Sequence, residues 1–359
     1  MKRSTSKLSR SGGFSLVELM VALTIGLIIL GAVSSLFVSS KQTYTTQDSL
    51  ARLQENARFA MQFLIKDLRL AGYFGCISDI APDSVYSSLN SSTAFAYNAQ
   101  VPLEGLYGTT WYPSGTTTLP SGIVSGTDAI AIRKADPSNS ISLNAEMPNT
   151  SAVLKVNSIA GLSDGDIIMI SDCASADIMQ ITGLNSTDPH IVHNAGAGTP
   201  GNSGQQLSKA YSPSTGPGGT RVMQFKTSQY FIGTGVSGNP ALFRQDNTAA
   251  PVELVEGIEN LQILYGEYTT LPPDPNRQNW VPSIYREASA VSDWTKVVSV
   301  RIGILARTLD DAVTGQSKEF EKDTGQYDVD GDGTNELSNP GDRYKRRVFQ
   351  SVVQMRNIL

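Results

Sequence analysis

The chain is poor in the residues on which most metal and catalytic sites depend. Its 359 residues include 2 cysteines and 2 histidines, and charged residues make up 17%, against about 25% in an average globular protein. Two cysteines exclude a cysteine-only zinc site, which needs three or four. The net charge of −5 argues against nucleic acid as the main partner, because binding to phosphates requires clustered lysine and arginine.

Motifs of known catalytic machinery are also absent from the sequence. It contains no G-x-S-x-G, H-E-x-x-H or P-loop pattern. The letters G-x-G-x-x-G occur at 196–201, but Pro200 prevents a helix from starting there. The two histidines, His190 and His193, lie in a loop-like run after Asp188, and we expect a plain surface role for both. We therefore predict no catalytic residues and no enzymatic activity.

The N-terminal segment combines a basic start with a long apolar stretch. Residues 1–13 carry four basic residues and no acid, and residues 14–38 carry a single charge, Glu18. A helix of about 20 apolar residues can cross a bilayer, so this segment is long enough to span one. The preceding basic residues favour a cytoplasmic N-terminus, which predicts that the rest of the chain lies across the membrane.

A secretory signal peptide or signal anchor is the simplest interpretation of this segment. Two observations oppose it. The small residues Gly12 and Gly13 precede the apolar stretch instead of following it. The carboxylate of Glu18 lies within the stretch, where a charge costs about 2.5–3.5 kcal/mol on insertion scales. A buried charge is tolerated when it is paired, and a cut after Gly13 would create a cationic amine at similar depth.

The run GFSLVE at 13–18, behind a short basic leader, resembles the processing site of type IV prepilins. The resemblance implies that a prepilin peptidase cleaves between Gly13 and Phe14 and that Phe14 is then N-methylated. It also implies that Glu18, the fifth residue of the mature chain, pairs with an N-terminal amine during filament assembly. A plain signal anchor remains the alternative interpretation.

The next segment has the pattern of an amphipathic helix. Proline is absent before Pro82, and after Leu50 apolar residues recur three or four positions apart. They are Leu53, Ala57, Ala60, Leu64, Leu68 and Ala71. Gly72 is a plausible C-terminal stop. The predicted domains are a leader at 1–13, a long helix at 14–72 with a transmembrane segment at 14–38, and a globular head at 73–359.

The head has the patterns of a β-rich domain. The runs with strand character are 129–132, 152–156, 166–170, 222–232, 261–268, 296–305 and 348–355. Residues 300–304 alternate and predict one buried face. Two stretches rich in serine, threonine, glycine and proline, 82–125 and 194–219, are predicted to be surface loops. The fold class predicted is α+β, with a long helix carrying a mostly antiparallel sheet.

Further runs resemble the PilW type of minor pilin. They are ENARFA at 55–60, AGYFGC at 71–76, SDC at 171–173 with Ala176-Asp177 after it, and RRVF at 346–349 leading to Arg356-Asn357. The resemblance implies a structural protein that assists or primes type IV pilus assembly, near the tip. The implied partners are prepilin peptidase, other minor pilins, the major pilin and a pilus-tip adhesin.

The implied location is the inner membrane, with the head in the periplasm and later in the filament at the cell surface. Two other functions stay open. One is a minor pseudopilin of type II secretion, which shares the N-terminal chemistry. The other is a membrane-anchored module whose loops at 82–125 and 194–219 bind a surface.

The two cysteines, Cys76 and Cys173, are expected to form a disulfide. A head on the far side of the membrane lies in a compartment where disulfides persist, and two cysteines allow one intrachain pair. The bond would tie the end of the helix to the sheet and contribute about 4–5 kcal/mol in the loop-entropy model. Two buried free thiols are the alternative.

An acidic run near the C-terminus resembles the calcium loop D-x-D-x-D-G. Asp328, Asp330 and Asp332 stand at loop positions 1, 3 and 5, Gly333 at position 6 and Glu336 at position 9. Alternate side chains of a tight loop converge on one side, and hard oxygen ligands suit calcium. Close carboxylates also repel one another unless a cation neutralises them. The sequence therefore predicts a calcium site.

The match to the calcium loop is incomplete. Thr334, at position 7, would offer its backbone carbonyl, but Asn339 stands at position 12 where the loop has a bidentate glutamate. Glu336 or Asp342 would have to complete the ligand set. A solvated acidic turn is the alternative interpretation.

Overall fold

The computed structural model describes residues 13, 15–76, 84–196, 198–214, 219–268, 281–310 and 323–357. By its internal contacts the chain divides into two compact units, one through Ala51 and one from Arg52 onward. A single helix, α1, spans Leu16–Leu68. By length and composition it is the one helix among the described residues that could cross a membrane.

Strands dominate the remainder of the described chain. They are β1 (Val85–Ser87), β2 (Leu103–Tyr107), β3 (Thr110–Tyr112), β4 (Ala129–Ser142), β5 (Leu154–Lys155), β6 (Ile167–Ser171), β7 (Ala176–Gln180), β8 (Gly183–Asn185), β9 (His190–Val192), β10 (Arg221–Thr234), β11 (Pro240–Asp246), β12 (Val252–Glu256), β13 (Ile258–Glu267), β14 (Ile284–Arg286), β15 (Val297–Arg307), β16 (Gln326–Tyr327), β17 (Leu337–Ser338) and β18 (Arg346–Gln354). Two short 3-10 helices, Ala288–Ala290 and Trp294–Lys296, precede β15.

The first part of α1 has an apolar surface on all sides. Every large apolar side chain between Leu16 and Val38 is at least 52% exposed. A helix that is apolar all round has no polar face to turn toward water, and it is stable where lipid or other apolar helices surround it.

From Arg52 onward, α1 is amphipathic and packs on the head. The stripe predicted from the sequence is the buried face, with Leu53, Ala57, Ala60, Leu64 and Leu68 each no more than 3% exposed. Beyond Leu68 the chain turns, and Gly72 adopts a φ of 70°, which a residue with a side chain adopts only at a cost. The helix thus ends at Leu68, four residues before the stop predicted at Gly72, and Gly72 lies in the turn that follows.

A buried carboxylate fixes the last turn of this helix to the sheet. Asp67 forms an ion pair with Lys134 on β4 and accepts a hydrogen bond of 2.7 Å from the Tyr230 hydroxyl on β10. All three residues are buried. Burial, followed by the charge of Asp67, raises the pKa of Tyr230, so this hydroxyl keeps its proton and donates to the carboxylate.

The largest sheet has nine strands. Seven follow the order β1-β7-β6-β10-β4-β2-β3, and β11 pairs with the second half of β10 and with β12. A second sheet has the order β14-β13-β15-β18, and two small sheets contain β5-β9-β8 and β16-β17. Among the strands of the described residues, β1 and β7 form the one parallel pair, and Ala195 and Asn202 form an isolated parallel bridge. The mostly antiparallel head predicted from the sequence is confirmed.

The main core lies where α1 meets the two larger sheets. It contains the buried stripe of the helix together with residues of β4, β10, β13, β15 and β18. In the run 300–304, Val300, Ile302 and Ile304 are fully buried in this core, so the alternation predicted the correct buried face.

Two local predictions are wrong. The stretch 82–125 was expected to be a loop, but it contains β1, β2 and β3, with Trp111 fully buried. His193 was expected at the surface, but it is 3% exposed and its Nε2 lies 3.0 Å from the carbonyl oxygen of Ala152. His190 belongs to β9. Burial lowers the pKa of His193, which favours a neutral side chain.

Candidate functional site

The N-terminal processing motif leads directly into α1. Gly13 is exposed, and Phe14 lies outside the described residues. The Ser15 hydroxyl accepts a hydrogen bond of 3.4 Å from the backbone N–H of Glu18, and Glu18 lies in the first turn of the helix. Serine followed three residues later by glutamate is a capping pattern that favours a helix start. Glu18 thus has a local role in addition to the filament role expected of it.

The two cysteines form a disulfide in the structure. The Cα atoms of Cys76 and Cys173 are 4.5 Å apart. Next to the bond, the Ser171 hydroxyl donates a hydrogen bond of 2.8 Å to the carbonyl oxygen of Phe74, and Phe74 is fully buried. The disulfide therefore ties the segment after α1 to the turn between β6 and β7.

The acidic run forms the tip of a short hairpin. β16 and β17 pair in antiparallel fashion, and at the base of the hairpin Asp323 N–H donates to the Asp342 carbonyl oxygen at 2.7 Å. The tip brings together carboxylate oxygens of four residues, all within 4.8 Å of one another. They are Asp328, Asp330, Asp332 and Glu336. Four of the five predicted ligand residues are thus in one cluster that could hold a metal ion.

Backbone N–H groups hold the carboxylates of the tip in place. Asp328 accepts from the N–H groups of Gly331, Asp332 and Gly333, at 2.6, 3.2 and 3.0 Å. The Thr334 N–H donates to Asp332 at 2.6 Å, so Thr334 shapes the loop. Its carbonyl oxygen as a ligand remains a prediction. The φ of 96° at Gly333 is the sharp turn for which a glycine was expected.

Burial and mutual repulsion both oppose ionisation of the carboxylates in the cluster. Burial, together with the charges of Asp332, Glu336 and Asp328, raises the pKa of Asp330 to about 6. Burial also raises the pKa of Glu336. Desolvation and neighbouring negative charges both disfavour the ionised form of a carboxylate, and a bound cation would favour it.

The acidic loop packs directly on the sheet formed by β15 and β18, at Gly303 and Gln350. A Cβ atom on Gly303 of β15 would lie 1.9 Å from the carbonyl oxygen of Val329, so a larger residue there would displace the loop. Gln350, which pairs with Gly303 across β15 and β18, donates a hydrogen bond of 3.0 Å to the same carbonyl. The loop therefore rests on the face of the sheet opposite the main core.

Arg346 fixes the base of the hairpin. Its side chain is 1% exposed and forms ion pairs with Glu259, Asp323 and Asp342 at 2.6 to 2.9 Å. Hydrogen bonds from Arg346 lower the pKa of Asp342. Asp342 is therefore held in an ion pair with Arg346. Of the two residues considered for completing the ligand set, Glu336 is the one that lies in the acidic cluster. Arg346 opens one of the PilW-like runs of the sequence, but no local pattern predicts its ion pair with Glu259.

An N-terminus that resembles a prepilin processing site, a helix able to cross a membrane and a strand-rich head are the features expected of a pilin-type subunit. Comparison with protein families leads to the same class. Residues 8–34 match the prokaryotic N-terminal methylation motif, and residues 229–357 match PilW, type IV pilus-assembly protein W. The two matches support a PilW-type type IV pilin, and the resemblance predicted from the sequence is confirmed.

The PilW match covers β11 to β18 and part of β10. It includes the family-like run that begins at Arg346, whereas the runs at 55–60, 71–76 and 171–177 lie outside it. No curated protein and no solved structure matches the chain.

Proposed function

We propose that the chain is a structural minor pilin that assists or primes type IV pilus assembly near the pilus tip. The observation that carries the proposal is the pair of family matches: a methylation motif at 8–34 and PilW at 229–357. Before assembly, α1 anchors the chain in the inner membrane with the head in the periplasm. In the filament, Glu18 pairs with an N-terminal amine. Its partners are prepilin peptidase, other minor pilins, the major pilin and a tip adhesin.

A gene deletion, complemented with the wild-type chain, tests this function. We expect the deletion strain to lose pili and twitching motility and the complemented strain to regain both. Loss of exoprotein secretion with intact pili would instead identify a type II pseudopilin. Intact pili with loss of adhesion would identify a surface-binding module.

We also propose that the tip of the β16–β17 hairpin binds calcium. Its four clustered acids offer only oxygen ligands, which calcium prefers over softer donors. Burial first, and then the charges of Asp332, Glu336 and Asp328, raise the pKa of Asp330, and a bound cation would relieve the repulsion among these charges. The ion would hold the loop against β15 and thereby stabilise the head.

Calcium is expected to raise the melting temperature of the purified full-length chain in detergent. A ligand at 100 times its Kd stabilises the native state by about 2.7 kcal/mol. The double variant Asp330→Asn with Asp332→Asn should lose the difference between calcium and chelator. A matched control removes two exposed acids elsewhere, Glu146→Gln with Asp164→Asn, and should keep it. Equal melting of the wild type in calcium and in chelator would refute the site.

A further inference from the structure

The longest outer strand of the head is β18. It lies at one edge of the four-stranded sheet and pairs with β15 over nine residues without a register shift. The other outer strands of the two larger sheets, β1, β3, β12 and β14, have three to five residues in the described part of the chain. Proteins protect sheet edges with short strands, bulges, proline or charged side chains. β18 contains no bulge and no proline, and its charged residues, Arg346 and Arg347, are its first two. The edge from Val348 to Gln354 is therefore suited to pair with a further strand.

The hydrogen bonds at the two ends of β18 reveal which backbone groups face outward. Thr308 N–H donates to the Lys345 carbonyl, and Met355 N–H donates to the Val298 carbonyl, both at 2.9 Å. In an antiparallel pair, hydrogen-bonded positions alternate, so odd-numbered residues of β18 bond to β15. The N–H and C=O groups of the even-numbered residues therefore point away from β15. They belong to Arg346, Val348, Gln350, Val352 and Gln354.

Within the described part of the chain, these outward groups have no backbone hydrogen-bond partner. A groove of about 730 Å³ runs beside them, between β18 and the part of α1 after Arg52. The groove is lined by three successive residues of β18, Phe349, Gln350 and Ser351. Successive side chains of a strand point to opposite faces of the sheet, so the groove touches both faces. A groove that touches both faces lies at the strand edge, where an added strand would fit 4.7 to 4.9 Å away.

The walls of the groove indicate the chemistry of its occupant. Met61 and Ile65 of α1 and Phe349 of β18 supply apolar surface. Arg58 and Arg347 supply two exposed guanidinium groups, and Glu55 supplies one exposed carboxylate, so basic groups outnumber acidic ones. Neither arginine forms an ion pair with a described carboxylate. The matching strand would carry an acidic side chain and an apolar side chain on the same face. Because side chains on one face of a strand are two residues apart, these would stand at positions i and i+2.

We propose that the edge of β18 accepts an extended segment, with that acidic and apolar pattern, from the head of a different pilin subunit. The proposal rests on the proposed function, since it names the surface by which the chain joins its neighbours. Backbone hydrogen bonds to the even-numbered residues supply affinity, and the arginines and the apolar wall select the partner.

Proline at position 352 tests the backbone contact directly. Val352 is 55% exposed, and its N–H points away from β15, so Val352→Pro removes an edge donor and leaves the β15 ladder intact. Val352→Thr is the matched control, because it changes the side chain and keeps the N–H. A second variant, Arg58→Glu with Arg347→Glu, reverses the charge of the groove at two exposed side chains and leaves the backbone unchanged.

The readout is photo-crosslinking in piliated cells from a photoreactive residue at Gln354 of the full-length chain, with adducts identified by mass spectrometry. We expect an adduct with another pilin subunit. Val352→Pro should lower its yield at least tenfold, the charge reversal should lower it at least fivefold, and Val352→Thr should keep it within twofold. If Val352→Pro lowers the amount of protein, the charge reversal decides.

Three results would overturn the proposal: an adduct only with a second copy of this chain, no pilin adduct, or a yield that neither variant lowers. Pilus counts in the same cells separate this failure from that of the proposed function. If the wild-type chain does not restore pili to the deletion strain, the proposed function fails. If it restores them and the crosslinking result is negative, the proposed edge contact alone fails.

Discussion

In cells with prepilin peptidase, the mature chain is expected to begin at Phe14 and to carry one methyl group on its N-terminal amine. The cut removes four basic residues and changes the net charge from −5 to −9. It also places a cation near Glu18, whose unpaired charge in the membrane costs about 2.5–3.5 kcal/mol. Intact mass and N-terminal sequencing, with and without the peptidase, measure this outcome.

Three variants separate cleavage from assembly. Gly13→Val should leave the leader in place and exclude the chain from filaments, whereas Gly12→Val, one residue earlier, should be processed. Glu18→Gln keeps the shape of the side chain and removes its charge, so we expect normal processing and a large loss of the chain from sheared filaments. A wild-type N-terminus that remains intact, or a cut beyond Val38, would contradict the pilin assignment.

Replacing Arg346 with leucine is expected to destabilise the head by about 3–5 kcal/mol, the usual result of removing one partner of a buried ion pair. The substitution leaves Glu259, Asp323 and Asp342 close together without the cation that they share. The base of the β16–β17 hairpin should then open. Urea unfolding of the full-length chain, followed by tryptophan fluorescence, measures the loss.

Arg343 supplies the control for this prediction. It is three residues away and exposed, so Arg343→Leu should change the free energy of unfolding by less than about 0.5 kcal/mol. Arg346→Lys keeps the charge but cannot form the two-pronged contact with Asp342, and we expect an intermediate loss. Equal stability of Arg346→Leu and the wild type would show that the three carboxylates do not depend on the arginine.

The long elements could be predicted from the sequence because each has a simple period. The spacing from Leu53 to Leu68 gave the buried face of α1, and the alternation at 300–304 gave that of β15. β2 was missed because Glu104 interrupts its pattern. That carboxylate is fully buried, and an ion pair of 2.6 Å with Arg133 on β4 makes its burial possible. Only the tertiary partner reveals such a strand.

The candidate site was predictable to a similar extent. Local spacing identified the acidic residues, since neighbours in a tight loop meet wherever the loop lies. The surface on which this loop packs could not be inferred from the sequence. It depends on Gly303 and Gln350, which pair across two strands that are far apart in sequence. For the same reason, the choice between Glu336 and Asp342 required the position of Arg346.

The head contains separate apolar clusters, so changes in the sequence around one of them need not disturb another. One cluster, beneath β6, β7 and the β5-β9-β8 sheet, consists of buried residues that all lie between Ile141 and Val222. None of these residues belongs to the main core, in which α1 packs on the two larger sheets. Mutations or inserted loops in this region can therefore be accommodated without repacking the helix. The surface of this region can thus vary among related chains while the packing of α1 on the head stays unchanged.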